Sequence, residues 1–99
     1  MIYYKLYERE WGIMVAACDK DLCNKTLKGK DIEFFINPRF YKEAEADKDK
    51  FIEILKGASS VNLVGNDSVE CGIAVGLIKK DNIVNITDIP HAQGIVMQI

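Results

Sequence analysis

His91 is the only histidine in the chain, and it stands in Asp88-Ile89-Pro90-His91-Ala92-Gln93, a stretch that reads as a loop. An imidazole titrates near neutral pH and can carry a proton or coordinate a cation, so chemistry is sought there first. Asn66, Gln93 and Lys25 are the side chains that a fold can gather around His91 to line a polar pocket. The plainer alternative is a lone histidine that is hydrogen-bonded within the structure or faces solvent. No partner at a fixed spacing completes an acid/base pair, so no residue is assigned a catalytic role and no cofactor is implied.

Cys18 and Cys23 form C-x4-C, a spacing zinc accepts, but a second ligand pair is missing and Cys71 sits in an apolar helical stretch. The thiols read as small hydrophobes and no metal site is assigned. A Cys18–His91 nucleophile pair needs an activating neighbour that spacing does not supply. Gly65-Asn66-Asp67-Ser68 follows an apolar run and opens a helical pattern, the setting in which backbone N–H groups meet a phosphate. Against that, Asp67 as N-cap and Glu70 three residues on satisfy those donors and offset the positive helix end. No glycine-rich phosphate fingerprint is present. Tyr3, Lys5 and Tyr7 alternate along the first strand pattern, and Arg39, Phe40, Tyr41 and Lys42 can extend their surface. Aromatic and basic side chains interleaved on a sheet are what single-stranded RNA stacks on. A helix laid over that face would instead make the tyrosines core or rim.

The elements that must position these residues are organised around Ser59 to Asp81. Val61, Leu63 and Val64 form a buried strand that stops at Gly65, and Val69, Ile73, Ala74, Leu77 and Ile78 follow at helical spacing, which predicts a helix over 67–80. Glu70 is the only charge between Val69 and Ile78, so most faces of this helix should meet protein. Gly72 and Gly76 weaken a helix, which suggests close approach of a neighbouring backbone along their side. Ahead of this unit, Ile2, Tyr4 and Leu6 alternate with Tyr3, Lys5 and Tyr7, predicting a strand with one buried and one solvated face. After the polar turn Glu8 to Gly12, Ile13 to Cys18 predicts a second strand, making an N-terminal hairpin. Asp19 to Lys30 is polar, with room for one helical turn around Leu22. Ile32, Phe34 and Ile36 predict a third strand halted by Asn37-Pro38, with a connecting loop from Arg39. Residues 47–56 form a short amphipathic helix carrying Phe51, Ile52 and Leu55, with Gly57 at its C′ position. Strands over 82–86 and from Gly94 to Ile99 complete the pattern.

Ninety-nine residues with 48% hydrophobic content make one domain with a modest core. A net charge of −2 excludes a strongly basic surface overall but leaves room for a local patch. No leader pattern and no apolar span of membrane length is evident, and an odd number of cysteines, three, points to reduced thiols. The expected setting is the cytoplasm, with no membrane partner.

With these segments in view, the chain resembles the archaeal family known as domain of unknown function 424. The likeness runs over nearly the whole length, through Cys18-Asp19, Leu22 to Thr26, Phe40-Tyr41, Asn62-Leu63-Val64-Gly65 and Pro90-His91-Ala92-Gln93. Asn24 departs from the pattern, standing where such sequences have glycine before the lysine. The resemblance implies a compact α+β protein without an established reaction. It points to Cys18, Asp19, Lys25, Asn62, Gly65, His91 and Gln93 as candidate positions without giving any of them a role.

The expected architecture is a small, mostly antiparallel sheet packed against the 67–80 helix, with the 47–56 helix at one side. The expected function is a non-enzymatic binding module for RNA or a ribonucleoprotein, with Tyr3, Lys5, Tyr7, Arg39 and Tyr41 as its surface. A second reading is an enzyme or ligand-binding domain with a polar pocket around His91. A third is a homo-oligomer formed through the Gly72/Gly76 side of the helix.

Overall fold

Alternation of apolar residues in the first strand and a continuous apolar run in the second produce a long hairpin in the structure, a computed structural model that describes residues 1–95. β1 (Ile2–Arg9) and β2 (Gly12–Asp19) pair antiparallel from Ile2 opposite Asp19 to Arg9 opposite Gly12, leaving Glu10 and Trp11 as the turn. The chain then makes an excursion: a 3-10 turn at Lys20–Leu22, a two-stranded ribbon of β3 (Thr26–Lys28) with β4 (Glu33–Phe35), and the single-turn helix α1 (Pro38–Tyr41). It returns through β5 (Ala44–Ala46), α2 (Lys48–Leu55), β6 (Ser60–Val64) and α3 (Asn66–Ala74), and closes with β7 (Ile83–Ile86) and β8 (Ile89–Ile95).

The main sheet has the order β5-β1-β2-β6-β8-β7. Every pairing in it is antiparallel except β2 with β6, where α2 lies in the crossover that lets two strands run the same way. The fold is α+β with a mostly antiparallel sheet and an N-terminal hairpin, as the sequence indicates. One face carries Ile2, Val15, Ala17, Val61, Leu63 and Ala92 and is covered by Phe51 and Leu55 of α2 and by Val69 and Cys71 of α3. The other face carries Ala16, Cys18 and Val64 and is covered by Ile36, Tyr41 and Phe34 of the excursion. Burying one side chain of the size of Phe51 or Leu55 stabilises by about 2–3 kcal/mol, so the two-sided cover is the main source of cohesion. Among the described residues no helix is long and apolar enough to cross a membrane.

Several expectations are corrected. The face of Tyr3, Lys5 and Tyr7 is not solvated, because α1 lies across it and all three are half-buried. Asn37-Pro38 does not merely halt a strand: Asn37 Oδ1 accepts from Arg39 N at 3.0 Å as N-cap, and Pro38 fills the first helical position of α1. The helix expected to reach residue 80 ends at Ala74. Gly76, at φ +81°, donates to Ile73 O, and Leu77 N donates to Gly72 O at 3.0 Å, a Schellman ending in which glycine takes the left-handed position. Ile73 is 44% exposed, so α3 is not enclosed on most sides. A Cβ at Gly76 would have no neighbour within 4 Å, whereas one at Gly72 would meet Leu63 Cδ1 at 2.6 Å and Ile78 Cγ1 at 2.8 Å. Only Gly72 therefore reflects close approach, and it is made by side chains of this chain's own core.

The segment from Asp88 to Gln93 is also not a loop. Thr87 and Asp88, both at positive φ, make the two-residue turn of a β7–β8 hairpin, and His91 lies within β8, opposite Val64 on one side and Val84 on the other. Of the strand expected over 94–99, Gly94 and Ile95 continue β8, and residues 96–99 lie outside the described ones.

Candidate functional site

The break between β6 and α3 depends on a carboxylate that comes from 48 residues away. Asp19, at the end of β2, accepts from Asp67 N at 3.0 Å and from Ser68 N and Ser68 Oγ, both at 2.8 Å. It therefore fills the place at the helix N-terminus where a phosphate would sit. Gly65 is required there: its φ is +106°, and a Cβ would overlap the Asp19 carboxyl. The helix is thus capped by Asp19 and not by Asp67 and Glu70, which instead pair with Lys48 at 3.4 and 2.8 Å. Burial pushes the Asp19 carboxyl above its ordinary value, and the bonds from Ser68 and Asp67 only partly oppose this. Asn66, beside this cap, is exposed.

The second cluster is built by register on the face under the excursion. Asn62 on β6 lies opposite Gln93 on β8, one row from Val64 opposite His91. Asn62 Oδ1 accepts the Tyr41 hydroxyl at 2.8 Å and lies 3.1 Å from His91 Nε2, so the imidazole is assigned as its Nε2–H tautomer. Phe34 covers the ring at a centroid distance of 5.2 Å. Burial lowers the His91 pKa and raises that of Tyr41, so both stay neutral at pH 7. The structure thus joins Asn62 and His91, with Gln93 beside them. Among the described residues the side-chain hydrogen bond of His91 goes to Asn62, and none joins it to Lys25, Asn66 or Gln93. Lys25 is exposed on the excursion, where its carbonyl accepts from Ile36 N at 2.9 Å. Asn24 before it sits at φ +68°, which explains why glycine suits that position and why asparagine, tolerant of the left-handed region, can replace it.

Cys18 is fully buried, and burial, together with the adjacent Cys23 thiol, raises its pKa far above the range where it ionises. Val64 stands between Cys18 and His91 in the register, so two strand spacings, about 10 Å, separate their backbones and no nucleophile pair exists. Among the described residues no three His, Cys, Asp or Glu side chains are placed to hold a metal ion.

At the β1 edge, the Tyr7 hydroxyl donates to Phe40 O at 2.8 Å and Lys5 Nζ donates to Arg39 O at 3.1 Å. Tyr41, expected on this surface, is only 2% exposed and belongs to the core. What remains outside is a strip of cations over two tyrosine rings. Lys5 and Arg9 lie 5.3 and 5.4 Å from the Tyr7 centroid, Lys42 lies 4.9 Å from that of Tyr3, and Arg39 is exposed beside them. Among the described residues none of these four cations is in a salt bridge, whereas Lys20, 5.8 Å from Tyr3, pairs with Glu45.

A feature the sequence reasoning missed adjoins this strip. An open cleft of about 770 Å³ runs past Trp11, Met14, Ser60, Asn62, Lys79 and Gln93. Trp11 is the only tryptophan and is 59% exposed in the hairpin turn. Its signal was a large aromatic in a polar turn, where packing gives no reason for one.

The family described as "Protein of unknown function (DUF424)" matches residues 7–97. A crystal structure of an uncharacterized conserved protein from Methanopyrus kandleri superposes with a TM-score of 0.77 at 21% identity, covering 99% of this chain and 95% of that one, a likeness of fold. A search of curated proteins gives no match.

Proposed function

The chain belongs to the DUF424 family, whose description carries no activity, and from its own side chains we propose that it is a non-enzymatic module that binds single-stranded RNA, alone or within a ribonucleoprotein. The observation behind this is the strip of Lys5, Arg9, Arg39 and Lys42, four cations without an acidic partner among the described residues, gathered over Tyr3 and Tyr7 in a chain whose net charge is −2. Like charges cluster against mutual repulsion, and a polyanion relieves it. The contact differs from the one the sequence suggests. The tyrosine rings are half-covered by α1 and serve as a floor that holds cations, so phosphates and not bases meet this strip. The three free thiols, Cys18, Cys23 and Cys71, fit a reducing, cytoplasmic setting.

The test is retention of cellular RNA or ribosomes by the purified protein over a range of salt. Retention that falls with salt, and falls further in an Arg39→Gln/Lys42→Gln variant, is the expected result. Absence of any salt-sensitive retention overturns the reading.

A further inference from the structure

We propose that the cleft beside this strip receives an unstacked base of the bound strand, an inference that rests on the RNA-binding reading. The two surfaces are continuous by register: Tyr7 of the strip lies opposite Met14, Met14 opposite Ser60, and the next row brings Asn62 opposite Gln93. The cations and the cleft are therefore linked through the Tyr7–Met14–Ser60 row of the sheet. Trp11 supplies a broad exposed ring for stacking on the cleft wall, and Met14 a polarizable surface within it. Lys79 also lines the cleft.

Hydrogen-bonding groups in the cleft are arranged for a base edge. Because Asn62 Oδ1 already accepts from Tyr41 and His91, the amide is fixed in one orientation and its Nδ2 is the group left to donate. Gln93 beside it is exposed and has both a donor and an acceptor to offer. Ser60, only 6% exposed, is the second observation. Its Oγ is the one buried side-chain polar atom among the described residues without a hydrogen-bond partner, although Ser60 lines the cleft. A native buried hydroxyl without a partner calls for a cause, and an absent ligand is one. Every base edge has an acceptor for the Asn62 donor, so the site senses that a base is present more than which base it is.

The sole tryptophan makes the test site-specific, since tryptophan emission excited at the red edge, where tyrosine does not absorb, reports on Trp11 alone. The full chain is titrated with labelled oligouridylate of about ten nucleotides, a footprint typical of small single-strand modules, and with an abasic ribose-phosphate strand of equal length. Oligouridylate is expected to quench Trp11 and to bind about tenfold tighter than the abasic strand, the order expected of one stacked base. By anisotropy, Trp11→Ala and Ser60→Ala should each lower oligouridylate affinity toward the abasic level while leaving abasic binding unchanged. Equal binding of both strands with unchanged Trp11 fluorescence overturns the base site and leaves the RNA-binding reading standing. Binding of neither strand overturns that reading and this inference with it. Quenching by uridine monophosphate at concentrations as low as those of the oligonucleotide overturns it differently, by making the cleft a site for a free nucleotide.

Discussion

Asp19 and Ser60 stand at opposite ends of polar satisfaction. Asp19 accepts three hydrogen bonds at the start of α3, so Asp19→Ala leaves two backbone donors and a hydroxyl without their acceptor in a buried place. Urea denaturation should show a loss of about 2–3 kcal/mol, combining a lost cap with unmet buried donors. Ser60→Ala should go the other way, raising the stability of the free protein by about 1 kcal/mol by removing a hydroxyl that has no partner. A gain in stability together with a loss of strand binding is a combination that a purely structural serine would not give. Asp19 and His91 also predict opposite pH limbs. Asp19 has a folded pKa above its ordinary 3.8, so the native state binds the proton more tightly, and stability falls as pH rises from that value through the raised one. His91 has a folded pKa below its ordinary 6.5, so its contribution is complete above 6.5 and is lost as pH falls through the depressed value. Stability against pH should lose the first limb in Asp19→Asn and the second in His91→Gln, which keeps a donor for Asn62. An unchanged profile in either variant would contradict the assignment.

The ends of α3 show where pattern and geometry part. Helix propensity alone would have both Gly72→Ala and Gly76→Ala stabilise by about 1 kcal/mol. Both should destabilise, for different reasons: the first by about 1–3 kcal/mol through overpacking against Leu63 and Ile78, the second by about 1–2 kcal/mol because residue 76 is left-handed. Thermal melts of the two variants check this. The helix end at Gly76 was hard to read because Leu77 and Ile78 continue the apolar rhythm, and they do so as a loop folded back onto the core, where Ile78 is buried. The hairpin β1–β2 and the strands β6 and β7 were legible because their apolar runs are bounded by clear turn residues, and α2 because Asp47 caps it by accepting from Lys50 N at 2.8 Å. β3 and β5 were not, since neither has the alternating large apolar residues that mark β4 through Ile32, Phe34 and Ile36. The Thr87-Asp88 turn hid the β7–β8 hairpin, because β-branched Thr87 is an uncommon residue at positive φ and the pair lacks the glycine that marks such a turn. The candidate site was half legible. Asn62, Gly65 and His91 were picked out, but Asp19 as the cap and Tyr41 as the third member of the Asn62 cluster depend on contacts made across 48 and 21 residues, which no local pattern encodes.

At the scale of the whole molecule, charge decides how a polyanion of the proposed kind would meet the protein. A total of −2 means that a polyanion at long range sees a weakly repulsive particle, and only within a Debye length, about 8–10 Å at physiological salt, does it feel the β1/α1 edge. Binding should therefore be of modest on-rate and steeply dependent on salt. If Lys5, Arg9, Arg39 and Lys42 each neutralise a phosphate, the plot of log affinity against log salt for a single strand should have a slope of about −3, four contacts at about −0.7 each. Arg39→Gln alone should make the slope shallower by about 0.7 while weakening base-containing and abasic strands alike. Trp11→Ala should do the reverse, weakening only the base-containing strand and leaving the slope where it was, because stacking releases no counterions. The two substitutions thus separate the strip from the cleft by different observables on one protein. A slope near zero in the unaltered protein would mean that the cations serve the fold through Tyr3 and Tyr7 and not a nucleic acid.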